Sequence, residues 1–374
     1  VRSGWVLAKW RQKFCRPLGS DFLLRHGGIL VQKKKSHQNT ESTKSHSTCF
    51  VEILCLLCFY GNKFLVAKKN KMNNITTIIP DEVSVGKLHG FLVAAVAPRP
   101  IAFASTVDLA GNVNLSPYSF FNVFGANPPI AIFSPARRVR DNTEKHTLEN
   151  LREVPEVVIN MVNYPMVEQM SLASTEYDKG VNEFVKAGFT EVPSTHVRPP
   201  RVGESPAALE CRVEQIIATG QEGGAGNLVI ARIVAIHLRN EYLDANGYLD
   251  TQKLDMVARM GANWYCRASG DALFEIPKPL YTKGIGVDQL PASVRFSSVL
   301  TGNNLGRLGN VEEFPAPATV AAYRAENENL QMLFQAHPTN QEARQLAIHE
   351  YAKTLLADDR AAEALLVLLA GEVG

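Results

Sequence analysis

The sequence predicts a mainly β protein of the α+β class: a closed or partly closed antiparallel barrel with short helices and a helical appendage at its C-terminal end. Three observations predict it. Runs rich in β-branched and aromatic residues recur at short spacing from Ile101 to Cys266, separated by Gly, Pro, Asn and Asp, which is the signature of successive strands. The helical stretches between them are brief, so an antiparallel barrel fits better than alternating βαβ units. After Pro279 the pattern turns irregular and then helical.

Residues 1–71 stand apart. They carry 14 basic and 3 acidic residues, whereas Met72 to Gly374 carries 25 and 34. The net charge of +2 therefore conceals a basic first part and a mildly acidic body. Nothing in that body's charge points to nucleic acid or an anionic membrane; a nucleic-acid role would rest on residues 1–71 alone. Cys15, Cys49, Cys55 and Cys58 lie in the first part, leaving only Cys211 and Cys266 in the body. Two isolated cysteines suit a reducing, cytoplasmic setting without a disulfide framework. The apolar patch Phe50 to Tyr60 comes too late for a signal peptide. It is also shorter than the about 18–20 residues of a membrane span, and it contains Glu52. Cys55 and Cys58 form a lone CxxC without the second pair a zinc site needs, and no metal site is expected. Met72, followed by NNITTIIPDEV, resembles a protein start. Residues 1–71 are thus expected to be a disordered extension or upstream sequence read from a mis-set translation start. The body is expected to divide into residues 72–279, the barrel, and 280–374, an irregular linker with C-terminal helices.

In order along the body, Pro80-Asp81-Glu82 marks a helix start or turn. Ile101 to Val107 and Val113 to Val123 are two extended runs around Asp108-Leu109-Ala110-Gly111-Asn112, a hairpin pattern. Ile130 to Ser134 is a short strand after Pro128-Pro129, followed by a loop with Arg137, Arg138 and Arg140. These arginines can meet a phosphate or a dinucleotide, but a solvated loop accounts for them better. Helix is expected around Thr147 to Arg152, with Asn142 or Thr143 as cap. Glu156 to Val162 reads as a buried strand. Asn163 and Pro165 open a helix through Ala173, and Gly188 closes another from Val181 to Ala187. The proline-rich Val192 to Pro206 is an extended connection. Ala207 to Thr219 and Leu228 to Leu238 form a long hairpin. The Gly220–Gly226 run joining them lacks the Gly-Lys-Ser/Thr ending of a P-loop. A short helix or loop covers Leu249 to Met260. Lys283 to Pro317 is expected to be irregular. Helix follows from Thr319, with Thr339-Asn340-Gln341-Glu342 as a capping box and a last helix from Ala361 to Ala370 ended by Gly371.

The returning run of the first hairpin is unusual. Asn114, Ser116, Ser119 and Asn122 are small donors and acceptors set among Tyr118, Phe120 and Phe121. A core strand has no need of them; a strand that cradles a flat, polar-edged cofactor does. Because successive strand residues point to opposite faces, only one of Phe120 and Phe121 can touch such a ring. No catalytic triad or metal cluster accompanies the hairpin, and His237 reads as a satisfied strand-end histidine. Trp264 and Tyr265, near Arg259, either flank the ring's open face or pack in an aromatic core.

The body resembles the flavin reductase-like, FMN-binding split-barrel family, in the stand-alone branch related to the reductase partners of flavoprotein oxygenases. The residues carrying the resemblance are Arg99-Pro100-Ile101-Ala102-Phe103-Ala104-Ser105-Thr106-Val107-Asp108, then Asn114-Leu115-Ser116-Pro117-Tyr118-Ser119-Phe120-Phe121-Asn122 and Pro128-Pro129. Lys145-His146-Thr147-Leu148-Glu149-Asn150, Glu204-Ser205-Pro206, Glu210-Cys211 and Arg259-Met260-Gly261 follow in order. The resemblance implies a Greek-key split β-barrel that binds FMN, with NADH or NADPH as electron donor. Hydride would pass from the nicotinamide to flavin N5 and on to an acceptor, in an obligate homodimer with the flavin near its interface and with an oxygenase or other electron acceptor as a partner. A non-catalytic FMN-binding electron carrier is the alternative. Asn114, Ser116, Pro117, Tyr118, Ser119, Phe120, Phe121 and Asn122 are the candidates for the ring and its edge. Ser105, Thr106, Lys145 and Thr147 are the candidates for the phosphate, which needs hydroxyls, amides or cations. Where His146 stands, the family commonly has an acidic residue.

Overall fold

The computed structural model describes residues 74–276 and 278–372, so the expectations for residues 1–71 lie outside the described residues. Strands β1 (Ala102–Val107) and β2 (Val113–Tyr118) form the expected hairpin, with Ser105 opposite Leu115 and Thr106 opposite Asn114. Asp108 closes its turn by accepting from the Asn112 amide and side chain, both at 2.8 Å. Gly111 sits there at φ 86°, a backbone conformation that favours glycine.

The returning run is not one strand to Val123. It breaks after Tyr118 and resumes as β3 (Phe121–Ala126), which pairs with β4 (Pro129–Phe133) instead of β1. Pro117 fits this arrangement, since a residue without an N–H is tolerated on an edge strand and β2 is an edge. With β5 (Glu156–Asn160), β8 (Ala207–Ala218) and β9 (Asn227–Leu238), the sheet order is β2-β1-β5-β8-β9-β4-β3. Every pairing is antiparallel. The two edges, β2 and β3, are joined only by Ser119 and Phe120, so the sheet has to curl until its edges approach. The long β8–β9 pair assists with two register shifts, since bulges bend a strand and increase its twist. The result is the Greek-key split barrel.

β1 is buried on both faces. Ala102 and Ala104 face the barrel core with Phe121, Phe133 and Leu151. Ile101 and Phe103 face an outer layer containing Met166, Met170, Phe184 and Phe189. Each fully buried phenylalanine, such as Phe103 or Phe133, contributes about 1.5–3 kcal/mol.

The helices around the barrel are short. α1 (Val85–Ala95) follows the turn at Pro80–Glu82 and is capped by Ser84. α2 (His146–Glu153) begins directly after Lys145. Neither Asn142 nor Thr143 caps it, because Thr143 is held by Asp141 through its amide at 3.1 Å and its hydroxyl at 2.6 Å. α3 (Val167–Leu172) follows the Pro165 turn. α4 (Glu183–Ala187) ends as expected at Gly188, φ 73°. The proline-rich connection carries a small β6–β7 pair (Glu191–Val192, Arg201–Val202). Beyond α5 (Thr251–Leu254), β10 (Met256–Arg259) and β11 (Tyr265–Ala268) make a second hairpin.

The C-terminal region has its own core, which includes Leu308, Leu330, Leu355, Leu356 and Leu368 and shares no residue with the barrel's. Residues 283–317 are not irregular throughout: α6 (Ala292–Arg295) and α7 (Gly302–Gly309) lie there, α7 opened by a Thr301/Asn304 capping box. α8 (Pro317–Glu326) and α9 (Glu328–Ala336) precede α10 (Gln341–Ala357). Its cap is Asn340 rather than Thr339, with Asn340 accepting from the Ala343 amide at 3.0 Å. Gly371 does not end α11 (Ala361–Glu372) but lies inside it, where a Cβ would come within 3.1 Å of Ile348. Among the described residues, no helix is long and apolar enough to cross a membrane.

Candidate functional site

A cleft of about 1190 Å³ opens at the Ser119–Phe120 link between the two sheet edges. Ser116 to Phe120 form one wall; His89, Val93 and Ala94 of α1 form another. The β10–β11 turn contributes Met260 to Ala262 and Trp264, and Ser134, Lys145 and Ser174 line the remaining side. None of the lining residues is acidic. The volume lies above the roughly 300–1,000 Å³ of ordinary ligand pockets.

Arg99 assembles these walls. Its Nη1 donates to the carbonyls of Val93 and Val96, the latter at 2.6 Å, and its Nη2 donates to the Met260 carbonyl at 2.9 Å. Nε reaches the Ser119 hydroxyl at 3.4 Å. The guanidinium thus satisfies carbonyls at the end of α1 that the helix leaves without partners, while tying α1 to the β10–β11 turn and the seam. Burial, and then the charge of Arg259, lower its pKa. The backbones of Arg99 and Arg259 exchange two hydrogen bonds, both 2.9 Å. Gly261 packs so closely on α1 that a Cβ would stand 3.0 Å from that of Ala94.

Behind the cleft wall, the Thr147 hydroxyl accepts from Asn114 Nδ2 and from the Tyr118 hydroxyl, each at 2.8 Å. Burial raises the Tyr118 pKa, with the hydrogen bond to Thr147 opposing it. The phenol is therefore a fixed neutral donor that holds β2 against α2. Lys145, immediately before α2, has its pKa lowered by burial and then by Arg138, with Glu176 opposing from 3.5 Å. Arg137 and Arg138 are not a freely solvated loop. They pair with Glu144 at 2.6 Å and Glu176 at 2.9 Å, and Arg140 pairs with Glu176 at 3.0 Å.

The structure brings together Ser116, Pro117, Tyr118, Ser119, Phe120 and Lys145 on the cleft. It sets the other sequence candidates elsewhere. Ser105 and Thr106 are consecutive on β1 and so face opposite sides; the buried Ser105 hydroxyl has no partner among the described residues, whereas that of Thr106 accepts from Asn150 at 3.2 Å. Asn114 and Thr147 form the polar pair behind the wall. Phe121 is in the barrel core, while Phe120 is 40% exposed at the cleft. Asn122 is exposed off the cleft and accepts from the Val123 amide at 2.8 Å. Trp264 is 75% exposed at the mouth rather than in a core, and Arg259 lies over the Tyr265 ring at 4.6 Å. His237 is satisfied by the buried Glu210 at 2.6 Å. His89, Ser134 and Ser174 carry no local sequence signal; only the fold brings them to the cleft.

Among known proteins, residues 95–254 match the family described as flavin reductase like domain. An uncharacterised protein of Halalkalibacterium halodurans is 39% identical over 188 residues, 50% of this chain and 89% of its own length. Another, from Aquifex aeolicus, is 31% identical over 189 residues, covering 50% of this chain and 94% of its own length. The crystal structure of nitrilotriacetate monooxygenase component B from Bacillus cereus superposes with a TM-score of 0.51 at 27% identity, over 55% of this chain and 100% of that one. Relatives above 30% identity matched over most of their length, together with the curled sheet and its seam cleft, show that the chain belongs to the flavin reductase-like, FMN-binding split-barrel family.

Proposed function

We propose that this protein is an FMN-dependent oxidoreductase that takes hydride from NADH or NADPH and passes it to an acceptor. The observation that carries the reading is the seam cleft: hydroxyls, a half-exposed aromatic ring and cations converge there with no acidic side chain among the lining residues. That donor set suits FMN, which combines a flat ring, a hydrogen-bonding edge and an anionic phosphate. When bound, FMN supplies the capacity to accept and release hydride. The chain's own residues bind and orient. Ser116 and Ser119 offer hydroxyls to a ring edge, and Phe120 offers an apolar face. Lys145 stands beside the start of α2, which has no side-chain cap, so cation and helix amides together favour a phosphate. The remaining volume, bordered by Trp264 and Met260, accommodates a second ring over the first.

Likeness to a component of a monooxygenase supports a reductase that serves a partner oxygenase. Exposed Val123 and Phe124 on the edge strand β3 support a homodimer, which light scattering tests. The deciding experiment is the absorbance spectrum of purified protein with FMN, followed by titration with NADH and NADPH. A bound-flavin spectrum that bleaches on adding nicotinamide supports the proposal. A protein that takes up no flavin overturns it, and one whose flavin is reduced only by another protein is an electron carrier instead.

A further inference from the structure

A side chamber of about 370 Å³ opens off the cleft behind Ser119. The two spaces share Pro117, Tyr118, Ser119, Ser174, Arg259 and Tyr265, and the chamber adds the polar Ser171 and Asn263, with the buried Ile101 and Met170 behind them. Arg259 stands between them. It lies over the Tyr265 ring at 4.6 Å and donates from Nη2 to the Ala262 carbonyl at 2.8 Å. Among the described residues it has no carboxylate partner. Arg267, on the facing strand of the same hairpin, is held by Asp255 through two bonds of 2.7 and 2.8 Å.

Arg259 also faces a second cation that lacks a carboxylate among the described residues. Arg99 is its backbone partner and donates only to carbonyls and a hydroxyl. Two adjacent guanidinium groups repel unless an anion lies near, and burial and the charge of Arg259 both lower the Arg99 pKa. The turn that Arg259 clasps is itself strained, since Ala262 holds φ 49°, a conformation uncommon for a residue with a side chain.

We propose that this chamber is a binding site for a small planar carboxylate, its acid group seated on the Arg259 fork and its ring beside Tyr265. The planar fork of arginine matches a carboxylate. Ser171, Ser174 and Asn263 add neutral donors, and among the described residues no acidic side chain lines the chamber to hold a cation. A chamber of this size is at the small end of ligand pockets, which favours a single-ring acid over a dinucleotide. The site adds a second ligand beside the cleft proposed for FMN, with which it shares part of its lining, Arg259 included.

Isothermal titration of the flavin-free full chain with benzoate, with benzamide as the neutral isostere, tests this directly. Benzoate is expected to bind saturably and benzamide at least tenfold more weakly. Arg259→Gln is expected to weaken benzoate at least tenfold, while Arg259→Lys loses less. Because Arg259 also holds its own turn, Asn263→Asp is the second variant: a carboxylate placed in the chamber should compete for the Arg259 fork and abolish benzoate binding. Equal binding of benzoate and benzamide, no saturable benzoate binding, or full affinity in both Arg259→Gln and Asn263→Asp would overturn the site. FMN uptake without benzoate binding sinks this inference alone; benzoate binding without FMN uptake sinks the flavin reading alone.

Discussion

The Arg99 guanidinium donates to the carbonyl of Met260 at 2.9 Å, linking positions 161 residues apart. With its bonds to the end of α1 and to Ser119, this one side chain sets the spacing of three cleft walls. Lysine has a single ammonium and cannot reach all of these acceptors. Arg99→Lys is therefore expected to lower unfolding free energy by about 1–3 kcal/mol. It should also weaken FMN about tenfold, equivalent to about 1.4 kcal/mol. Urea unfolding and flavin fluorescence titration measure the two effects. A destabilised protein with unchanged FMN affinity would show that Arg99 only staples the fold.

Thr147 carries a different burden, since two buried donors, Asn114 Nδ2 and the Tyr118 hydroxyl, share its oxygen. Thr147→Val keeps the shape and removes the acceptor, leaving both donors without it. Each unsatisfied buried group costs about 1–3 kcal/mol, so a loss of about 2–4 kcal/mol in urea unfolding is expected, with Lys145 left in place. A loss under about 0.5 kcal/mol would mean that water replaces Thr147 at this junction.

The barrel was legible in the sequence because its strands are short, β-branched and punctuated, and period-two alternation is a local property. The lining of the candidate cleft was legible only where one strand supplies it. Ser116 to Phe120 are contiguous and polar among aromatics, and they do line the cleft. Ser105, Thr106, Asn114 and Thr147 have the same chemistry, but the register of β1 and β2 and the packing of α2 turn them inward. That is tertiary information. The break after Tyr118 was missed for a related reason: the run remains extended, and only the change of partner from β1 to β4 interrupts it. Gly371 signals a helix end by composition, yet it lies inside α11, where a Cβ would press on the Ile348 side chain at 3.1 Å.

Glu210 makes stability depend on acid. Burial pushes its carboxyl upward, but the amides of Thr195 and His196, then His237 and the Thr195 hydroxyl, together hold it at about 2, below the ordinary 4.5. Its contribution is complete above the ordinary value and is lost as pH falls from 4.5 toward about 2. Wild-type unfolding free energy should therefore drop across that window. Glu210→Gln should be less stable by about 3 kcal/mol at neutral pH and show a shallower acid slope. An identical slope in wild type and variant would assign the acid sensitivity to other carboxylates.

Lys145 makes binding depend on alkali. Burial and the neighbouring Arg138 lower its pKa below the ordinary 10.5. Its positive charge is present at neutral pH and fades as pH rises toward, but before reaching, that value. FMN affinity should fall over this range, while riboflavin, which lacks the phosphate, should show no such fall. Lys145→Met should weaken FMN at neutral pH by about tenfold, about 1.4 kcal/mol, and leave riboflavin unchanged. Equal losses for FMN and riboflavin would place Lys145 at the ring instead of the phosphate.

The C-terminal helices bury a core that has no member in common with the barrel's, and such an arrangement need not unfold as a single cooperative unit. Leu330, fully buried in that second core, offers a local probe. Leu330→Ala should cost about 2–5 kcal/mol through lost transfer energy and a residual cavity. If the boundary near residue 280 separates two domains, calorimetry should resolve two transitions, and the substitution should lower only one. The flavin spectrum should remain unchanged through the transition that moved. A single transition shifting as a whole, with flavin released in step, would instead join the helices and the barrel into one folding unit.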